Sequence, residues 1–172
     1  MERYFGESTP KLGFGMMRLP ETEHTHDIEQ IKQMVDLFLD AGLTYFDTAY
    51  VYLGSEESTR KALVERHPRD SFTLATKLNA WLGSPDEKTA KEQLYTSLQR
   101  TGVEYFDYYL LHALQNNNYK TYEDYGLWDY VREQKQAGLI RHWGFSFHGT
   151  PELLDELLTK NPDAEFVQLQ LN

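Results

Sequence analysis

The stretch TYFDTAYVYLG, residues 44–54, starts as a buried strand and then breaks its own pattern. Tyr45 and Phe46 are residue types that favour a strand, and Asp47 places a carboxylate where that strand runs out. An aspartate at such a position often caps the following turn. The same arrangement recurs further along the chain, however, and the recurrence indicates both a fold and a site.

Strand-like and helix-like segments alternate around this stretch. Six strands are predicted, at KLGFGMMRL (11–19), LTYFD (43–47), SFTLATK (71–77), VEYFDYYLLH (103–112), RHWGFSFH (141–148) and EFVQLQLN (165–172). Helices are predicted from residue 28 to Gly42, over 55–66, from a capping box at Ser84–Glu87 to Gly102, over 125–137, and from Thr150 to near Asn161. Strand and helix in alternation predict parallel strands, in either an open doubly wound sheet or a β/α barrel.

Length and composition exclude several classes of protein. The chain has 172 residues, so one domain is expected, and its net charge of −10 argues against a nucleic-acid surface. No apolar run is long enough to cross a membrane, and the chain contains no cysteine, which excludes disulfides and thiolate metal sites. We expect a cytoplasmic protein with no membrane or nucleic-acid partner.

Polar side chains stand at the ends of the predicted strands. Asp47, Lys77 and His112 end the second, third and fourth strands. The fifth strand ends with Ser146 and His148, and the sixth with Gln168, Gln170 and Asn172. In parallel β/α folds the carboxyl ends of the strands face the ligand, so these side chains are expected to share one pocket.

The residue types in this pocket suit the reduction of a carbonyl group. Tyr52 could protonate a carbonyl oxygen, and a lysine ammonium beside it should lower its pKa from about 10. Asp47 would keep Lys77 charged, and a neutral His112 could donate a hydrogen bond to the substrate oxygen. Because no side chain donates hydride, a nicotinamide cofactor is implied.

The segments GLTYFDTAYVYLGSEE, LATK, YYLLH and GFSFHG resemble the signatures of the aldo-keto reductase family, in the same order. The resemblance covers the chain from LGFGMMRLP to VQLQLN and is closest to a bacterial branch of the family. It implies a parallel β/α (TIM) barrel, NADPH as cofactor and a small carbonyl substrate. The implied catalytic residues are Asp47, Tyr52, Lys77 and His112, and the implied cofactor-binding residues are Gly15, Met16, Met17, Arg18, Asp47, Ser146 and Gln168.

The predicted barrel is incomplete. A β/α barrel has eight strands, whereas residues 1–172 supply about six strand-helix units and read as a single partial domain, truncated after the sixth strand. We therefore expect weak NADPH binding, slow turnover, and self-association through unpaired edge strands.

Two alternatives stay open. One is a metal-dependent barrel hydrolase with Asp47, His112 and His148 as ligands, and the other is a non-catalytic barrel that serves as an interaction module. In the tyrosine-rich segment that follows the fourth strand, Trp128 and Val131 are expected in the core and the tyrosines at the surface.

Overall fold

The structure is a computed structural model that describes residues 10–170. In chain order its elements are β1 (Phe14–Gly15), β2 (Glu21–Thr22), β3 (Thr25–His26), α1 (Ile28–Asp40), β4 (Tyr45–Asp47), α2 (Ser55–Thr59), a π-helical turn (Arg60–Val64), a 3₁₀ turn (Arg69–Ser71), β5 (Thr73–Leu78), α3 (Glu87–Thr101), β6 (Phe106–Leu114), α4 (Tyr119–Asp124), α5 (Leu127–Gln136), β7 (Ile140–Phe147), α6 (Pro151–Lys160) and β8 (Phe166–Leu169). Asn172, predicted at the end of the sixth strand, lies outside the described residues.

Six of the strands form one parallel sheet in the order β1-β4-β5-β6-β7-β8. The Gln168 side chain at the end of β8 donates a hydrogen bond to Asp47 at the end of β4, with 3.3 Å between Nε2 and Oδ2. The last strand therefore reaches back toward the first ones, which makes the sheet a curled half-barrel. The predicted incomplete β/α barrel is confirmed, with β1 and β8 as its edges.

The helices begin and end near the capping residues and glycines that the sequence analysis identified, with one exception. The Thr150 hydroxyl accepts a hydrogen bond from the backbone N–H of Leu153 and so caps α6, as predicted. The prediction that Ser84 caps α3 is wrong. Asp86 is the cap and accepts from the N–H of Thr89 at 2.7 Å, whereas Ser84 is buried and donates to the carbonyl of Asn79.

The core lies between the sheet and the helices and is rich in aromatic rings. Trp128 and Val131 are buried in it, as predicted. The prediction that the neighbouring tyrosines lie at the surface is wrong for Tyr122 and Tyr130, which are 0% and 5% exposed. Each of these hydroxyls hydrogen-bonds to a backbone carbonyl, and such a partner makes burial of a tyrosine favourable.

The strands β2 and β3 and the helix α4 were not predicted. Strands β2 and β3 form a small antiparallel hairpin before α1, and α4 is a helix of 6 residues. The hairpin places His26 against Ser58 of α2, with 2.7 Å between Nδ1 and Oγ. Within residues 10–170 no helix is long and apolar enough to cross a membrane.

Candidate active site

A buried ion pair forms the base of the site. Lys77, on β5, is 2% exposed, and its Nζ donates to Asp47 Oδ1 at 2.5 Å and to the carbonyl oxygen of Thr48 at 2.7 Å. Burial lowers the pKa of Lys77, while the Asp47 carboxylate acts in the opposite direction. A buried lysine needs such a partner, because an unpaired ammonium in the core would give up its proton.

Tyr52 lies above this pair, on the loop that follows β4. The Nζ of Lys77 is 5.0 Å from the centre of the Tyr52 ring. Burial and the charge of Asp47 raise the pKa of Tyr52 to about 12. The expectation of a pKa below 10 is therefore wrong for this structure: burial of the phenol is the larger cause of the rise, and the charge of Asp47 adds to it.

His112 completes the group from β6. Its ring meets the ring of Tyr52 edge to face, with 5.6 Å between the centroids. Burial, with the charges of Lys77 and His148, lowers the pKa of His112 to about 3, so the imidazole is neutral at pH 7. Its Nδ1 is buried and has no hydrogen-bond partner among the described residues. A proton on Nδ1 would be a buried donor without an acceptor, which favours the tautomer that carries the proton on Nε2.

A bulge in β6 sets the position of His112. The pairing of β6 with β7 shifts register between Leu111 and Leu114, and Ala113 has a positive φ of 54°. The hydroxyl of Tyr122 donates to the carbonyl of His112, and Ser146 Oγ accepts from the N–H of Ala113 at 2.7 Å. The strained backbone is thus held on both sides. Sequence reasoning missed Tyr122, because nothing in a tyrosine-rich segment distinguishes one ring from the others.

The four predicted catalytic side chains line one cavity of about 300 Å³. Its wall is formed by Asp47, Tyr52, Lys77, His112, Ser146, His148, Gln168, Leu169 and Gln170. The structure therefore brings together side chains from the ends of five strands, β4 to β8, and from the loop that follows β4. Trp81, which follows β5, stands beside this group, with its ring 6.4 Å from that of His112.

The residues predicted beside the cofactor differ in how accessible they are. Gly15, with Asp47 and Gln168, lines a wider opening of about 620 Å³ between β1 and β8. Met17 and Arg18 are exposed. Met16 is different, because its side chain is 0% exposed in the hydrophobic core, so only its backbone could contact a ligand.

The described residues offer no metal centre. Across residues 10–170, no group of three histidine, aspartate or glutamate side chains is arranged to hold an ion. Asp47 is instead engaged by Lys77 and Gln168. The metal-dependent hydrolase therefore lacks a ligand set in the described part of the chain.

Comparisons with known proteins identify the family. The profile of the aldo/keto reductase family matches residues 11–172. A curated aldo-keto reductase of Mycolicibacterium smegmatis is 31% identical over 153 residues, which cover 89% of this chain and 51% of that protein. The chain thus spans about half the length of the curated relatives it matches.

Solved structures give the same result. An aldo-keto reductase of Bacillus halodurans, solved in its holo form, superimposes with a TM-score of 0.71 at 29% identity, over 94% of this chain and 53% of that one. One from Klebsiella pneumoniae, solved in complex with NADPH, gives 0.67 at 28% identity, over 88% and 50% of the two chains.

Proposed function

This chain belongs to the aldo-keto reductase family, and we propose that it carries the active site that reduces an aldehyde or ketone to an alcohol with NADPH. The observation that carries the proposal is the single cavity lined by Asp47, Tyr52, Lys77 and His112. A phenol that holds its proton, a lysine ammonium that can stabilise the phenolate and a neutral hydrogen-bond donor are groups suited to the protonation of a carbonyl oxygen.

The residues around the cavity fit the nicotinamide end of the cofactor. Ser146 and Gln168 end neighbouring strands and pair in register, so a hydroxyl and a carboxamide stand side by side where an amide group could bind. Gly15 lies in the wider opening, which shares Asp47 and Gln168 with the cavity, and a side chain there would meet nothing within 4 Å, so this opening has room for a ligand. When bound there, NADPH would supply the hydride for the carbonyl carbon.

The chain's own residues would supply the proton. With a pKa of about 12, Tyr52 holds its proton at pH 7 and can give it to the carbonyl oxygen as hydride arrives at carbon. The phenolate left behind would be stabilised by Lys77, whose ammonium is held in place by Asp47. His112 would donate Nε2–H to the same oxygen and so orient the carbonyl group.

Replacement of the acid tests this assignment. Tyr52→Phe should lower carbonyl-dependent NADPH oxidation by about 10²- to 10⁴-fold, because a general acid typically contributes that much. Cofactor affinity, measured by fluorescence titration, should not change. Tyr95→Phe, on an exposed face of α3, is the matched control and should retain the parent rate. An unchanged rate in Tyr52→Phe would reject Tyr52 as the acid.

We further propose that the chain alone binds NADPH weakly and turns over slowly. Among the described residues that line the opening between β1 and β8, Lys11 is the one cation, and the net charge of −10 repels a dinucleotide phosphate. Fluorescence titration of the chain with NADPH measures this directly. Micromolar affinity at 1:1 stoichiometry would contradict it.

A non-catalytic role in association is the second candidate, and the position of β1 and β8 at the edges of the sheet, over residues 10–170, favours it. An edge strand can serve as a template for pairing with another chain. The cytoplasmic location, the absence of a nucleic-acid partner and the single-domain organisation of residues 1–172 stay predictions.

A further inference from the structure

One buried carboxylate has no part in the proposed chemistry. Glu56, on α2, is 1% exposed. Its Oε1 accepts a hydrogen bond from Thr76 Oγ1 at 2.7 Å, and its Oε2 lies 3.3 Å from Nη1 of Arg100. A carboxylate is rarely buried to this extent unless it is paired, and here its partner is a guanidinium that comes from another helix.

Arg100, near the end of α3, connects this carboxylate to the loop that carries Tyr52. The same Nη1 donates to the carbonyl oxygen of Tyr50 at 3.3 Å, and the guanidinium carbon is 4.5 Å from the centre of the Tyr50 ring. The N–H of Tyr50 in turn donates to the carbonyl of Lys77 at 3.1 Å. One arginine therefore fixes the start of the loop at a point two residues before Tyr52.

We propose that Glu56 and Arg100 are positioning residues, which hold the 50–52 loop so that the Tyr52 hydroxyl faces the cavity. This inference rests on the proposed function, because positioning has a consequence for rate only if Tyr52 is the acid. Glu56 fixes the guanidinium from inside the protein, and the guanidinium fixes Tyr50. Without Glu56, Arg100 is free to move to Glu57, whose Oε1 already lies 3.3 Å from its Nε.

A contribution to folding stability does not by itself explain the ion pair between Glu56 and Arg100. Burial raises the pKa of Glu56, which means that a charge at this position is costly, although its hydrogen bonds offset part of the cost. Glu56→Gln keeps an oxygen that can accept from Thr76 but removes the charge that holds Arg100. We therefore expect the variant to fold and to lose the position of the loop.

The experiment places 3-fluorotyrosine at position 52 of the full chain and records its ¹⁹F resonance across a pH titration. The titratable groups that line the same cavity as this ring, Asp47, Lys77, His112 and His148, are left unchanged. In Glu56→Gln the resonance should shift or split and the phenol should titrate at a different pH. Glu65→Gln removes a nearby exposed pair with Arg60 and should leave both readouts unchanged.

If the chain turns over, kcat in Glu56→Gln should fall about ten- to a hundredfold while KM for NADPH stays constant.

The outcomes separate the two proposals. A ¹⁹F signal in labelled Glu56→Gln identical to that of the labelled parent chain would overturn the positioning role. If Glu56→Gln does not fold, the same two readouts are measured in Arg100→Lys. The Arg100 side chain is 32% exposed in the parent, so this substitution disturbs the core less. Loss of folding in both variants would show a structural role and also overturn the proposal. An altered signal in a chain without any carbonyl turnover would support positioning and reject the proposed reductase function.

Discussion

At the scale of single residues, Tyr52 and His112 are both uncharged at pH 7, because burial disfavours their charged forms. Asp47, Lys77 and His112 could be assigned because each ends a strand, and strand ends in a parallel sheet converge. The pKa of Tyr52 depends on how much water the fold removes around the phenol, which no local pattern records. Glu56 was missed for the same reason, since its burial is decided by the packing of α2 and α3.

The neutral state of His112 gives a pH-dependent stability. Its folded pKa of about 3 lies below the usual value of about 6.5, so the unfolded chain binds the proton more readily between these values. The contribution of His112 to the free energy of unfolding is therefore complete above pH 6.5 and declines as the pH falls toward 3, at about 1.4 kcal/mol per pH unit.

Urea unfolding of the parent and of His112→Gln from pH 7 to pH 4 measures this effect. The parent should lose more stability on acidification than the variant, because glutamine has no group that titrates. Parallel pH curves for the two proteins would show that the imidazole is not buried in its neutral form.

At the scale of elements, the longer strands and helices were predictable, and the short or irregular ones were not. The helix from Ile28 to Asp40 has a clear apolar period and a glycine stop. The hairpin of β2 and β3 has two residues in each strand, too few to show any alternation. Ser84 was misassigned as a cap because Asp86 fits the same role two residues later.

Packing between β7 and β8 depends on a residue without a side chain. A Cβ at Gly144 would lie 2.2 Å from the carbonyl oxygen of Phe166, a contact with backbone that cannot relax cheaply. Gly144→Ala should therefore lower the free energy of unfolding by about 1–3 kcal/mol or more. Gly15→Ala is the matched control, since its Cβ would meet nothing within 4 Å. Urea unfolding that shows equal stability for the two variants would contradict this account of the β7–β8 contact.

At the scale of the whole molecule, the sheet curls but does not close over the described residues. The sequence indicated an open sheet, because six strands were predicted and a β/α barrel has eight. The shape of the opening could not be predicted from the sequence. The opening has a volume of about 620 Å³ and is lined by β1, Tyr45 and the start of β8. Over the described residues β8 is an edge strand with apolar side chains, a combination that favours pairing with another chain.

Self-association through β8 should appear as a molar mass that rises with protein concentration in light scattering. Leu169, 46% exposed on this edge strand, can be changed to lysine to oppose pairing. Leu169→Lys should reduce the mass at high concentration, while Leu37→Lys, on the exposed face of α1, should not. A monomer at every concentration in the parent would remove the association candidate.

The central claim is that residues distant in the chain form one cavity in which a carbonyl group is reduced. Incubation of an aromatic aldehyde with excess chain and NADPH deuterated at both C4 positions tests it most directly, with the alcohol analysed by mass spectrometry. We predict one deuterium on the carbinol carbon in the parent reaction and no labelled alcohol above background with Tyr52→Phe. No labelled alcohol from the parent, or equal labelling from both proteins, would contradict the claim.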